Sequence, residues 1–299
     1  MKKTSEDGVP GKDSRDTRAT GFDRFLSAFS LVSRLPVRRS FFFDPSRLDF
    51  HLPLVGLPVS LLAAATMAAA MRATASPTAA AFAVLAVQYL AFNLFHLDGL
   101  LDTADAFLGP GDAQKRLAIL KDSRIGVFAF FAGFMALAAK LALLLRVAGL
   151  GPDSGNLFGL AAVLAYPIAG RAAAALVPAL APPAGETGLG ALAKGSKASR
   201  VLAGSLAGII PWAALSMLLP SLFAPVFPAI AAASPFEPLF LLGWACIVPS
   251  AIIPAVFFAR MYRRGVGGYT GDALGAAVES GELLHLALSL AALGAAGAV

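Results

Sequence analysis

Asp98, Asp102 and Asp105 stand at positions i, i+4 and i+7 of the segment His96–Asp105. On a helix turning about 100° per residue, their carboxylates fall within about 60° of arc, on one face. The segment follows an apolar run, residues 78–95, that reads as a membrane span. Acids beside hydrocarbon are costly and mark function. Three like charges on one face repel each other unless a cation neutralises them. Mg²⁺ suits the set, because it takes oxygen ligands and is often shared between a few carboxylates and a phosphate. His96 points about 160° away from Asp98 on the same helix and reads as an interfacial or hydrogen-bonding histidine.

A Gly-Pro-Gly turn at 109–111 leads into a short helix that carries Lys115, Arg116, Lys121, Asp122 and Arg124. Acids that hold a metal beside bases that grip phosphate oxygens would make a phosphoryl-transfer site. For Asp112, Lys115 and Lys121 the competing reading is a solvated loop. A second constellation lies at 265–285. Gly265, Gly267, Gly268 and Gly271 would let backbone approach a ligand, with N–H groups free to hold phosphate. Thr270 and Asp272 add an oxygen pair, and Glu279 and Glu282 follow at i, i+3 where the last span is expected to begin. Arg171 falls inside an apolar run and could face a cavity holding an anion. Lys140 reads as a snorkelling lysine. Gln88 and Asn93 read as hydrogen bonds between neighbouring helices.

The elements that must position these groups are membrane helices. Of 299 residues, 58% are hydrophobic and 14% charged, and the mean hydropathy is +0.74. The fold class expected is an all-α polytopic membrane bundle. Seven spans are read at about 53–71, 78–95, 127–145, 157–181, 201–222, 239–259 and 283–299. Residues 1–20 read as a disordered tail without a signal-peptide core, and 21–299 as one membrane-embedded catalytic domain. Residues 22–35, ending before Pro36, read as an amphipathic stretch in the interface. Cys246, the single cysteine, excludes a disulfide framework and reads as a packing residue.

Loops rich and poor in Lys and Arg alternate along these spans, which puts the N-terminus in the cytoplasm and the C-terminus outside. The net charge of +6 then reflects a basic cytoplasmic face rather than nucleic-acid binding. Asp98, Asp102, Asp105, Asp112, Asp122, Glu186, Asp272, Glu279 and Glu282 are all expected in cytoplasmic loops, while Asp153 and Glu237 are external. The expected setting is a membrane, with the active site facing the cytoplasm.

These motifs resemble the cobalamin synthase family, the adenosylcobinamide-GDP ribazoletransferases. The phrase H-L-D-G-L-A-D-T-x-D-G stands here at His96–Ala106, with Leu101 for Ala and Ala106 for Gly. D-S-R-x-G follows at Asp122–Gly126, with Val127 and Ala129 where Thr and Gly are expected. G-G-x-T-G-D-x-L-G-A stands at Gly267–Ala276, followed by Glu279 and Glu282. Ser33–Val37 and Pro53–Gly56 carry two shorter phrases. The resemblance runs from about 25 to 290.

It implies a Mg²⁺-dependent joining of adenosylcobinamide-GDP to α-ribazole, or its 5′-phosphate, with release of GMP. Asp98, Asp102, Asp105 and Asp122 would hold metal. Asp122, Asp272 and Glu279 are alternative general bases. Lys115, Arg116, Arg124, Arg171, Gly268, Thr270, Gly271 and Glu282 would serve substrate or phosphate. A homo-oligomer is compatible with this reading. Two rivals stay open at this level: a CDP-alcohol phosphotransferase of lipid headgroup synthesis, and an ion-coupled transporter that binds at Arg171 and the acids.

Overall fold

A computed structural model describes residues 19–150, 157–223 and 238–295. The expected tail up to residue 18 and the loops holding Asp153 and Glu237 lie outside the described residues. The helices are α1 (Gly21–Val32), α2 (Leu48–Thr74), α3 (Pro77–Leu108, with a π-turn at Tyr89–Asn93), α4 (Ala113–Ile119), α5 (Val127–Gly149), α6 (Leu157–Leu164), α7 (Tyr166–Leu180), α8 (Leu189–Leu192), α9 (Ala198–Phe223), α10 (Pro238–Ala245), α11 (Ile247–Val266) and α12 (Gly271–Ala295). Among the described residues there is no strand, only an isolated bridge between Pro183 and Tyr269. Seven helical stretches are long and apolar enough to cross a membrane. The chain is a multi-pass membrane helix bundle.

Helix α7 is the axis of the bundle. In the apolar window of the stretch Leu160–Leu180, made of the end of α6 and all of α7, 89% of residues are buried, against 28% in α5 and α9. Ala172–Ala175 make it thin enough for several helices to approach at once. Glycines set two of the closest crossings. A methyl on Gly170 would meet Val278 O at 2.6 Å and Glu282 Cγ at 2.5 Å, so α7 and α12 touch backbone to side chain. A methyl on Gly275 would sit 2.9 Å from His96 O, and one on Gly99 2.9 Å from Asp272 O. Helices α3 and α12 therefore cross with their backbones in contact, next to the aspartates. Helix α1 begins with a capping box between Thr20 and Asp23 and packs on α2, with Phe29 edge-on to Phe92.

The spans differ from expectation most in two places, and the sixth also runs on past 259 to Val266, taking Arg260, Arg263 and Arg264 into the helix. Helix α3 continues without a break from the apolar run through Asp105 to Leu108, so the aspartate segment is the end of a span and not a separate loop. The last span starts at Gly271 rather than 283. Glu279 and Glu282 are consequently not in a loop: both are fully buried inside the bundle. The helix starts early because small residues, Gly271, Ala273, Gly275, Ala276 and Ala277, pack against neighbours along its first turns.

The two glutamates sit in a dehydrated charge network. Lys140 on α5 pairs with Glu279 at 3.0 Å and with Glu282 at 2.5 Å. Arg171 on α7 pairs with Glu282 at 2.8 Å. Gln88 and Asn93 donate to Glu282, Asn93 also donates to Glu279, and Tyr89 donates to Glu279 at 2.6 Å. The π-turn, which widens the helix by one residue per turn, lies where Tyr89 and Asn93 both reach the glutamates. Two formal positive and two formal negative charges cancel. Lys140 therefore does not snorkel: it is fully buried and neutralised. Arg171 does face an anion, and the anion is the protein's own Glu282. Gln88 and Asn93 do join neighbouring helices.

Lys140→Met leaves one glutamate uncompensated and should cost about 3–5 kcal/mol. Unfolding in lipid bicelles should show this loss, and adding Glu279→Gln should restore much of it.

Candidate active site

Asp98 and Asp102 lie one helical turn apart on α3. Asp98 is exposed and Asp102 half-buried. Asp272, in the first turn of α12, faces them across the Gly99–Gly275 contact. Asp102 feels the charges of Asp98, Asp272 and Asp105 together. Among the described residues, neither Asp98 nor Asp102 has a hydrogen bond or ion pair, and Asp272 is touched by a side chain only through Thr270, whose hydroxyl donates at 2.9 Å. Carboxylates left unpartnered in mutual repulsion beside hydrocarbon are a cation-binding arrangement. No three His, Cys, Asp or Glu side chains among the described residues converge closely enough to form a closed metal cage. The donor set still fits Mg²⁺, which keeps several waters and commonly takes one or two protein carboxylates plus substrate phosphate oxygens.

The structure separates Asp105 from this pair. Its carboxylate accepts from Gly126 N at 2.6 Å and Ala129 N at 2.9 Å, and so caps the N-terminus of α5 from another helix. A methyl on Gly126 would lie 2.5 Å from Asp105 Oδ1, so this position needs glycine. Ala129 contributes its backbone N–H, which alanine supplies as glycine would. Asp122 is likewise committed. Arg124 grips it with contacts of 2.5 to 3.1 Å and holds its carboxyl down to about 2. A carboxyl so acidic is a weak proton acceptor at neutral pH.

The basic segment is a mixture. Asp112 caps α4 by accepting from Lys115 N at 2.8 Å, a structural role that settles the competing reading for this residue. Lys115 Nζ donates to Pro110 O at 3.1 Å and remains exposed. Arg116 lies over the Phe107 ring at 5.3 Å. Arg124 is 87% exposed at its side chain.

The glycines of the second constellation approach protein rather than open space. Gly265 abuts Phe107 and Arg116, and Gly268 abuts Pro182–Ala184. Tyr269 N donates to Pro182 O, and Ala184 N to Tyr269 O. Gly267, at φ +88°, ends α11 in the left-handed region that glycine favours. Gly271 packs near Gly190. These contacts fix where Thr270 and Asp272 stand.

Helix contacts put residues 33–50, 96–126, 181–200 and 260–275 at one end of the bundle. Ala184 meets Tyr269, and Asp49 accepts from Lys197 N and pairs with Arg200 at 2.7 Å. These are the segments rich in Lys and Arg.

The chain matches the family model described as cobalamin-5-phosphate synthase over residues 24–290. The chain belongs to the cobalamin-5-phosphate synthase family. An adenosylcobinamide-GDP ribazoletransferase of Klebsiella pneumoniae is similar to it at 33% identity over 278 residues, covering 88% of this chain and 97% of the relative. Relatives of the same name from a Sinorhizobium species and from Escherichia coli are each 31% identical over 268 residues, covering 88% of this chain and 94% and 97% of their own. No solved structure matches the chain. Membership in the cobalamin-5-phosphate synthase family favours neither the CDP-alcohol phosphotransferase nor the transporter reading. The paired, charge-neutral state of Arg171 also removes the residue on which the transporter reading rested.

Sequence reasoning missed several groups that build this end of the family fold. Asp49, 2% exposed, ties α2 to the start of α9. Thr103 and Tyr262 share a 2.7 Å hydrogen bond that fixes α3 to α11 just beyond Asp102. His96 is not interfacial: it is buried, and its Nε2 has no partner among the described residues. Opposite charges inside separate apolar runs were the available signal for the Lys140 network. Nothing in the spacing marks Asp49 or Tyr262.

Asp105→Ala should lose about 1–2 kcal/mol through the missing cap, with faster amide exchange at residues 126–129. Asp105→Asn keeps one acceptor oxygen where the carboxylate has two, so it should recover only part of that stability. Loss of turnover in Asp105→Asn with stability and amide exchange unchanged would show that Asp105 is a ligand and not a cap.

Proposed function

We propose that this chain joins adenosylcobinamide-GDP to α-ribazole, or to α-ribazole 5′-phosphate, and releases GMP. Family membership over residues 24–290 supports the reaction. The observation that carries the site is the group of carboxylates at one end of the bundle, Asp98 and Asp102 without a partner among the described residues and Asp272 held only by Thr270. The 5′ oxygen of α-ribazole 5′-phosphate is already esterified, so the nucleophile common to both acceptors is a free hydroxyl on the ribose ring. Its oxygen forms a bond to the phosphorus attached to cobinamide, the bond from that phosphorus to the GMP oxygen breaks, and GMP leaves with the electron pair.

Asp98 and Asp102 would hold Mg²⁺. When bound, the ion would neutralise charge on the pyrophosphate. Asp272 is the best-placed proton acceptor of the three candidates. Asp122 is held acidic by Arg124, and Glu279 is locked in the core with Lys140. Thr270 would position the Asp272 carboxyl through its hydroxyl. Lys115 and Arg124 follow on the chain and would meet the phosphates of the departing nucleotide, while Arg116 is turned to Phe107. We place the site on the cytoplasmic face of the bacterial inner membrane, because the loops at that end carry the Lys and Arg residues.

The test is GMP release from vesicles bearing the chain, supplied with adenosylcobinamide-GDP, α-ribazole and Mg²⁺. Removal of Mg²⁺ by a chelator should stop turnover, and re-addition should restore it. Asp98→Asn should reduce turnover by about 10²–10³-fold or more while inserting normally. Near-normal turnover of purified Asp98→Asn protein would sink the metal assignment.

A further inference from the structure

A groove on the described surface lies away from the carboxylates. It has a volume of about 720 Å³ and is formed by α11 with Phe107 and Arg116. Ile253, Phe257, Arg260 and Arg264 stand along it at i, i+4, i+7 and i+11, one stripe of one helix face. The stripe changes character along its length. Ile253 and Phe257 are 56% and 57% exposed, and they occupy the middle of the span Leu241–Val266. Arg260 and Arg264 occupy its end, where Arg116 joins them from α4. No acid lines the groove, and none of the three arginines has an ion pair among the described residues. Arg116 Nε is buried with no hydrogen-bond partner.

We propose that this groove is a binding site for one anionic phospholipid. Its phosphate would sit among Arg116, Arg260 and Arg264, and an acyl chain would run along Phe257 and Ile253. The dimensions agree. From Ile253 to Arg264 the helix rises about 17 Å, and one leaflet's hydrocarbon is about 15 Å deep. A soluble anion would use the arginines and leave the apolar stripe uncovered. A neutral lipid would cover the stripe and leave three guanidiniums unanswered. An anionic lipid satisfies both, as basic pockets at the ends of membrane helices do elsewhere. The groove is not the reacting centre, because Phe107 projects about 140° around α3 from Asp102.

The experiment is a lipid titration of the delipidated full chain in detergent, read by native mass spectrometry. Phosphatidylglycerol should bind as a single copy at about tenfold lower concentration than phosphatidylcholine with the same acyl chains. Arg260→Gln with Arg264→Gln should abolish the preference, and Arg260→Lys with Arg264→Lys should retain most of it. The lysine pair decides the matter if the glutamine pair misfolds, since its binding should weaken at high salt. Equal binding of the two lipids by the unaltered chain would overturn the proposal. So would displacement of phosphatidylglycerol by GDP or inorganic phosphate, which would assign the groove to a soluble anion.

Discussion

Lys140, Arg171, Glu279 and Glu282 are the point from which the rest of the bundle is set. Four formal charges are buried where neither water nor lipid can solvate them, so each must find its partner or the fold fails. The pairing draws α5, α7 and α12 together, and Gln88, Tyr89 and Asn93 bring in α3. Apolar helices in hydrocarbon have little reason to prefer one rotation over another. A charge network removes that freedom, because only one rotation of α12 points both glutamates at Lys140. With α12 so oriented, Asp272 is turned toward the aspartates of α3.

Small residues then convert that orientation into proximity. Gly99 against Gly275, and Gly170 against Gly281, allow α12 to touch α3 and α7 without side chains between them. Larger residues there would hold the carboxylates apart. The same division recurs among the acids. Asp105 and Asp112 satisfy helix N-termini and Asp122 satisfies an arginine, while Asp98 and Asp102 have no side-chain partner among the described residues and Asp272 has only the Thr270 hydroxyl. The acids that the fold does not consume are the ones to which the proposed chemistry is assigned.

Much of this was legible in the sequence. Long apolar runs and alternating basic loops identify seven spans because hydrocarbon imposes length and composition directly. The shared face of Asp98 and Asp102 follows from helical periodicity alone. Three things were not legible. The role of Asp105 depends on backbone N–H groups of Gly126 and Ala129, some twenty residues away, and no periodicity reports such a contact. The burial of Glu279 depends on Lys140 lying opposite, a relation between spans that each look ordinary alone. The glycines of 265–271 signal close approach correctly, but they do not say whether a ligand or Pro182–Ala184 approaches.

The Asp105 cap has a further consequence for the segment it spans. Residues 106–125, the stretch with Lys115, Arg116 and Arg124, leave α3 and re-enter at α5 through two hydrogen bonds to one carboxylate. The segment is thus a loop closed by a clasp, with both ends anchored independently of its contents. Closing a flexible loop costs only about 0.6 kcal/mol more for each doubling of length. The frame can therefore tolerate change in the length and charge of the loop. Whatever part of the substrate it meets can be renegotiated over evolution without disturbing the carboxylates beneath it.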